Sequence, residues 1–111
     1  MTVIDRAPQL NRASPADPTT VNLSGEIDIF TSKALRRQLL GVLRYSTDLL
    51  ILDLSRMSFC DASGLGVMVG IQRRARQQGI ALALRAPRPY MTRLLRITGL
   101  DRTLSVIGPR H

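Results

Sequence analysis

Asp61-Ala62-Ser63-Gly64-Leu65-Gly66 stands at the join of two apolar runs with different rhythms. Upstream, Leu49-Leu50-Ile51-Leu52-Asp53-Leu54 is broken only by Asp53. A short run of that kind suits a strand buried on both faces, as in a parallel sheet. Downstream, a segment from about Ser63 to Gln78 is apolar all round in its first half, through Leu65, Val67, Met68, Val69 and Ile71. It carries Arg73, Arg74 and Arg76 in its last turns and stops at Gly79. That pattern is a helix with cations against the negative end of its dipole and glycine just past its end.

Working outward, the same alternation continues. Thr19 to Leu23 is β-prone and leads into Ser24-Gly25-Glu26-Ile27-Asp28. Thr31-Ser32 opens a second helix, in which Leu35, Leu39, Val42 and Leu43 recur at helical spacing. Ile80 to Leu84 is a strand, and Pro89 sits in the first turn of a helix over Tyr90 to Ile97 that Gly99 closes. Thr103 to Ile107 is a last strand. Strand, helix, strand, helix, strand, helix, strand describes an α/β domain with a small mixed, largely parallel sheet, right-handed crossovers and helices mainly on one face. The domain is expected over 19–107. Residues 1–18, with Pro8, Pro15 and Pro18, read as an arm in which Thr2 to Ile4 would be an edge strand, and 108–111 as a tail.

Composition narrows the function. A chain of 111 residues suits one domain. Cys60 is the single cysteine, so no intrachain disulfide and no thiolate cluster can form, which fits a reducing, cytoplasmic setting. Met1 to Leu10 has no apolar core of a signal peptide, and the apolar stretch Leu65 to Ile71 is far too short to span a bilayer. The net charge is +8, from 16 basic and 8 acidic side chains, with Lys33 the only lysine. The arginines of the three helices form no dense run and have few aromatic neighbours, so specific nucleic-acid binding is not expected. An acidic protein partner remains open.

Catalysis lacks its parts. The only histidine, His111, is terminal, which leaves no Ser-His-Asp or Cys-His arrangement, and Cys60 at the end of an apolar stretch reads as buried and inert. No ligand spacing marks a metal site. Gly64, Gly66 and Gly70 miss the dinucleotide fingerprint in spacing and position, so no cofactor is expected, although a small nucleotide-binding α/β domain stays as an alternative. Gly66 and Gly70 share one helix face, either for close packing on the sheet or as a flat face for a partner. Ser63 has two readings. Either Asp61 or Ser63 caps the helix, or Ser63 accepts a phosphate, which helix N–H groups tolerate.

Ser24-Gly25-Glu26-Ile27-Asp28, Leu50-Ile51-Leu52-Asp53-Leu54-Ser55, Phe59-Cys60-Asp61-Ala62-Ser63-Gly64-Leu65-Gly66 and Arg93-Leu94-Leu95-Arg96-Ile97-Thr98-Gly99-Leu100-Asp101 together resemble, in order, the motifs of STAS domains, and among them bacterial anti-sigma factor antagonists. The resemblance implies a regulator without enzymatic activity. Its unphosphorylated form would bind an anti-sigma factor serine kinase and free the sigma factor. The kinase would phosphorylate Ser63, and a phosphatase would reverse it. Asp28, Asp61, Ser63, Gly64, Leu65 and Val67 would form the partner surface. Ala62 replaces a serine common in the motif. The family's N-terminal strand pair is poorly marked here, and a final helix common in the family is expected to be missing after Ile107. The resemblance leaves room for a weak homodimer, and for a non-switching STAS subunit of a lipid-transport or stress-sensing complex in which Ser63 is only a cap.

Overall fold

The computed structural model describes residues 18–46 and 48–107; the expected arm, its edge strand at Thr2 to Ile4, and the tail with His111 lie outside them, apart from Pro18. Strand β1 (Thr19–Ile27) leads to helix α1 (Ser32–Leu43), then β2 (Leu49–Cys60), α2 (Ala62–Gln77), β3 (Ala81–Arg85), α3 (Pro89–Thr98), a 3-10 turn (Leu100–Arg102) and β4 (Ser105–Ile107). The strands lie in the order β1-β2-β3-β4, and every pairing among the described residues is parallel. Each connection steps one strand in the same direction. With right-handed crossovers, such steps bring all three helices to one face of the sheet.

One core fills the space beneath them. Leu35 and Leu39 from α1, Met68 and Ile71 from α2, and Met91 and Leu95 from α3 pack with Val21, Leu23, Leu50, Leu52 and Leu84 of the sheet. The helix ends follow local chemistry. Pro89 occupies the first turn of α3, where its missing N–H costs nothing, and Gly99 ends that helix at φ +78°, a left-handed conformation that glycine adopts freely.

β2 is twice as long as the apolar run that announces it. Between Asn22 and Ser24 of β1 the partner on β2 moves from Asp53 to Arg56, and between Gly25 and Glu26 it moves from Met57 to Phe59. Each shift places one extra residue on β2, a bulge that bends the strand and turns its faces over. Buried positions therefore run Leu50, Leu52, Leu54, then Met57, then Cys60, in steps of three across the bulges.

Asp53 braces the first bulge. One carboxylate oxygen accepts from the Ser55 amide at 2.9 Å and the Ser55 hydroxyl at 2.6 Å. The other takes Arg85 Nε and Nη2, each at 3.1 Å. Burial raises the Asp53 pKa, but the Ser55 and Arg85 contacts outweigh it and hold the group below its ordinary value. Because β3 stops opposite Asp53, β2 is laddered beyond that point to β1 alone among the described strands. On the open side, Arg88 Nε donates to the Ser55 carbonyl and the Tyr90 hydroxyl to the Met57 carbonyl, both at 2.9 Å.

Helix α2 settles against the ends of β1 and β2 through Gly64. A Cβ there would lie 2.6 Å from Cys60 Sγ and 2.7 Å from Ile27 Cγ2. The close-packing glycine is thus Gly64 and not the expected Gly66 or Gly70: a Cβ on Gly66 meets nothing within 4 Å, and one on Gly70 meets Arg36 at an ordinary 3.7 Å. Gly64→Ala is expected to destabilise the fold by about 1–3 kcal/mol through overpacking. Gly66→Ala should stabilise it by up to about 1 kcal/mol through helix propensity. Urea denaturation of the two variants checks the opposite signs.

Candidate functional site

The C-terminal ends of β1 and β2 and the first turn of α2 meet at Asp61. Its backbone is extended (φ −108°, ψ −169°), and its N–H continues the ladder to the Ile27 carbonyl at 3.2 Å. Its carbonyl accepts the first helical bond, from Leu65 N at 3.1 Å. A single carboxylate oxygen, Oδ1, gathers the Ser63 amide at 2.9 Å, the Gly64 amide at 3.3 Å and the Ser63 hydroxyl at 2.5 Å. Asp61 is therefore the cap. Ser63 stands at the second helical position and donates to the cap rather than acting as one. The Ser63 hydroxyl first, and then the Gly64 and Ser63 amides, hold the Asp61 carboxyl below its ordinary pKa.

Asp28 organises the neighbouring turn in the same manner. Its Oδ1 accepts from Phe30 N at 2.9 Å and Thr31 N at 3.2 Å, while Thr31 Oγ1 accepts from Asp28 N at 2.9 Å. The helix start expected at Thr31-Ser32 is thus made by a reciprocal pair. Two carboxylates, each closing a turn with its own backbone, sit at the ends of adjacent strands.

The six expected partner residues divide. Asp28, Asp61 and Ser63 come together at the surface, each partly exposed. Val67 is half-buried against the core. Gly64 and Leu65 are buried, the first pressed on Cys60 and Ile27, so neither presents a side chain to a partner; they fix the height of the first turn from below. The exposed positions of this end of α2 are Ala62 and Gly66.

Nothing in periodicity marks Ile29 and Phe30, yet the turn between β1 and α1 holds both out in solvent, Phe30 at 85% and Ile29 at 66% exposure. Phe59, opposite Glu26 in register, is also exposed. Both phenylalanines of a chain with only two thus lie outside the core, around the same strand ends. Large exposed apolar side chains beside ordered polar groups make this end of the molecule a candidate contact surface.

Cys60 lies beneath this surface, buried as expected, and burial first and the Asp61 charge second push its thiol up to about 12. A thiol so held is not a nucleophile at neutral pH. Among the described residues there is no cluster of three or more metal-ligating side chains, and no helix is long and apolar enough to cross a membrane.

Comparison with known proteins assigns the chain a family and a fold. The family model described as "Mlab, STAS domain" matches residues 10–108. The anti-sigma-B factor antagonist of Bacillus subtilis (strain 168) is 36% identical over 86 residues, spanning 78% of each chain. The crystal structure of an anti-sigma factor antagonist from Mycobacterium paratuberculosis superposes with a TM-score of 0.74 at 25% identity, covering 98% of this chain and 86% of that one. The Bacillus cell fate determinant SpoIIAA in its phosphorylated form shares the fold, with a TM-score of 0.65 at 23% identity over 92% of both chains.

The lowered pKa of Asp61 sets a sign. A carboxyl whose folded value is depressed adds stability above its unfolded value and loses it as pH falls through the folded value. Asp61→Ala should lower the melting temperature at neutral pH, and the gap from the parent chain should close as the solution is acidified through and below the carboxylate range. Thermal melts at stepped pH check this; a gap that stays constant into strong acid contradicts it.

Proposed function

Because the chain belongs to the STAS-domain family of anti-sigma factor antagonists, we propose that it binds an anti-sigma factor serine kinase while Ser63 carries a free hydroxyl, and so releases the sigma factor. Phosphorylation of Ser63 ends the complex, and a phosphatase restores it. The protein is a cytoplasmic regulator with no reaction of its own.

The observation that carries this reading is the 2.5 Å bond from the Ser63 hydroxyl to Asp61 Oδ1. It fixes the half-buried hydroxyl at the first turn of α2, with its proton already directed at a carboxylate. Phosphoryl transfer depends mainly on positioning and charge stabilisation, and a hydroxyl so aligned is prepared for a kinase's nucleotide.

The same geometry explains the switch. A phosphoserine oxygen has no proton to give Asp61, and the phosphate adds about −1.5 to −2 charge beside that carboxylate. Phosphate and Asp61 then compete for the Ser63 and Gly64 amides, which favour an anion at a helix start. The core below, through Gly64, Cys60 and Ile27, gives the helix no reason to melt. The end that carries Ile29 and Phe30, however, gains a strong further negative charge, and a partner seated on it would have to strip water from that charge.

A second reading rests on the description of the matching family model, which names Mlab. In a non-switching subunit of a lipid-transport assembly, Ser63 only completes the cap.

Incubation with ATP and the candidate kinase, followed by phosphate mapping, separates the two. Phosphate is expected on Ser63 and absent from Ser63→Ala. Ser63→Asp should weaken kinase binding by about tenfold or more, and Phe30→Ala should do so to a similar degree while leaving the melting temperature unchanged. Phosphate found only elsewhere, or binding untouched by Ser63→Asp, sinks the switch.

A further inference from the structure

Helices α1 and α2 carry a concentration of positive charge that the switch does not use. Lys33, Arg36 and Arg37 lie on α1 and Arg73, Arg74 and Arg76 on α2, and neither helix contains an acidic residue. Between the two helices runs a shallow groove of about 270 Å³, walled by Arg36, Arg73 and Arg74 and floored by Leu40, Gly70 and Ile71. Gly70 has a specific part in it. Arg36 Nη1 lies 3.7 Å from where a Gly70 Cβ would stand, so the exposed side chain reaches over α2 with its guanidinium beside Gly70. Three guanidiniums are thereby gathered around one groove, with no ion pair to any of them among the described residues.

We propose that this groove is a second docking site, for an acidic polypeptide segment in which carboxylates alternate with aliphatic side chains. Arginine forks grip carboxylates through paired N–H bonds, and half-buried Leu40, backed by the core residue Ile71, offers an apolar contact for a side chain between them. Other anionic surfaces fit less well. No aromatic residue lines the groove for a base to stack on. The exposed large hydrophobics of the described chain are Ile29, Phe30, Tyr45, Phe59, Ile97, Val106 and Ile107, none of them on α1 or α2, so this face has nothing to insert into a lipid surface. Ser63 lies ten residues before Arg73 on α2, about 15 Å along the helix axis. A partner holding both sites would keep the groove after phosphorylation had expelled it from the Ser63 surface.

The probe is a fluorescein-labelled peptide of repeated Glu-Glu-Leu-Glu, titrated with the full chain by fluorescence anisotropy. Saturable binding is expected, falling steeply with added salt. The triple variant R36Q/R73Q/R74Q should lose about tenfold or more in affinity. The charge-matched triple R93Q/R96Q/R102Q, on α3 and the turn after it, should change it by less than about threefold. Ser63→Asp should bind the peptide like the parent, which separates this site from the switch. Thermal melts confirm that both triples fold. Equal losses in the two triples would show a response to net charge alone and overturn the proposal. So would groove-dependent binding of a single-stranded oligonucleotide or of phosphatidylglycerol vesicles with none of the peptide.

Discussion

Everything at the working end of this molecule depends on one carboxylate oxygen. Asp61 Oδ1 takes two backbone amides and one hydroxyl, and in doing so settles where β2 ends, where α2 begins and which way the Ser63 oxygen faces. The Asp61 amide ties the same residue to Ile27 at the end of β1. Gly64 then fixes the separation between the helix and those strand ends, because a methyl group has no room there. A hydroxyl on a loop would wander; the position of the Ser63 oxygen is set by sheet pairing, helix capping and a steric stop at once.

Much of this was legible in the chain, for physical reasons that also mark where legibility ends. The apolar run Leu49 to Leu54 announces β2 because Leu50, Leu52 and Leu54 enter the core beneath the helices and Ile51 is buried as well. Beyond it, the bulges turn a two-residue rhythm into steps of three, from Leu54 to Met57 to Cys60, and no simple period survives. Asp61 and Ser63 are both competent caps, so residue type leaves the choice open and only the direction of the hydrogen bonds decides it. Gly64, Gly66 and Gly70 look alike in sequence. Which of them needs to be glycine depends on Ile27 and Cys60, brought in by other elements. Ile29 and Phe30 show in no pattern, because exposure of a turn follows from the ends it connects.

The two ends of α2 divide the molecule's electrostatics. Its start lies among Glu26, Asp28 and Asp61 beside exposed apolar side chains, and its far half lies among arginines. An overall charge of +8 conceals this polarity. An approaching protein meets an acidic, partly greasy tip and a basic flank, which orients it before contact.

The outer half of β2 carries a further consequence. Where β3 ends, a length of strand edge is left with carbonyls that any extended peptide could use, and such edges invite one copy of a protein to add to another. Arg88 and Tyr90, reaching over from the start of α3, occupy the carbonyls of Ser55 and Met57. Those two side chains thereby deny that stretch of edge to a second extended chain, a duty separate from any partner the protein meets.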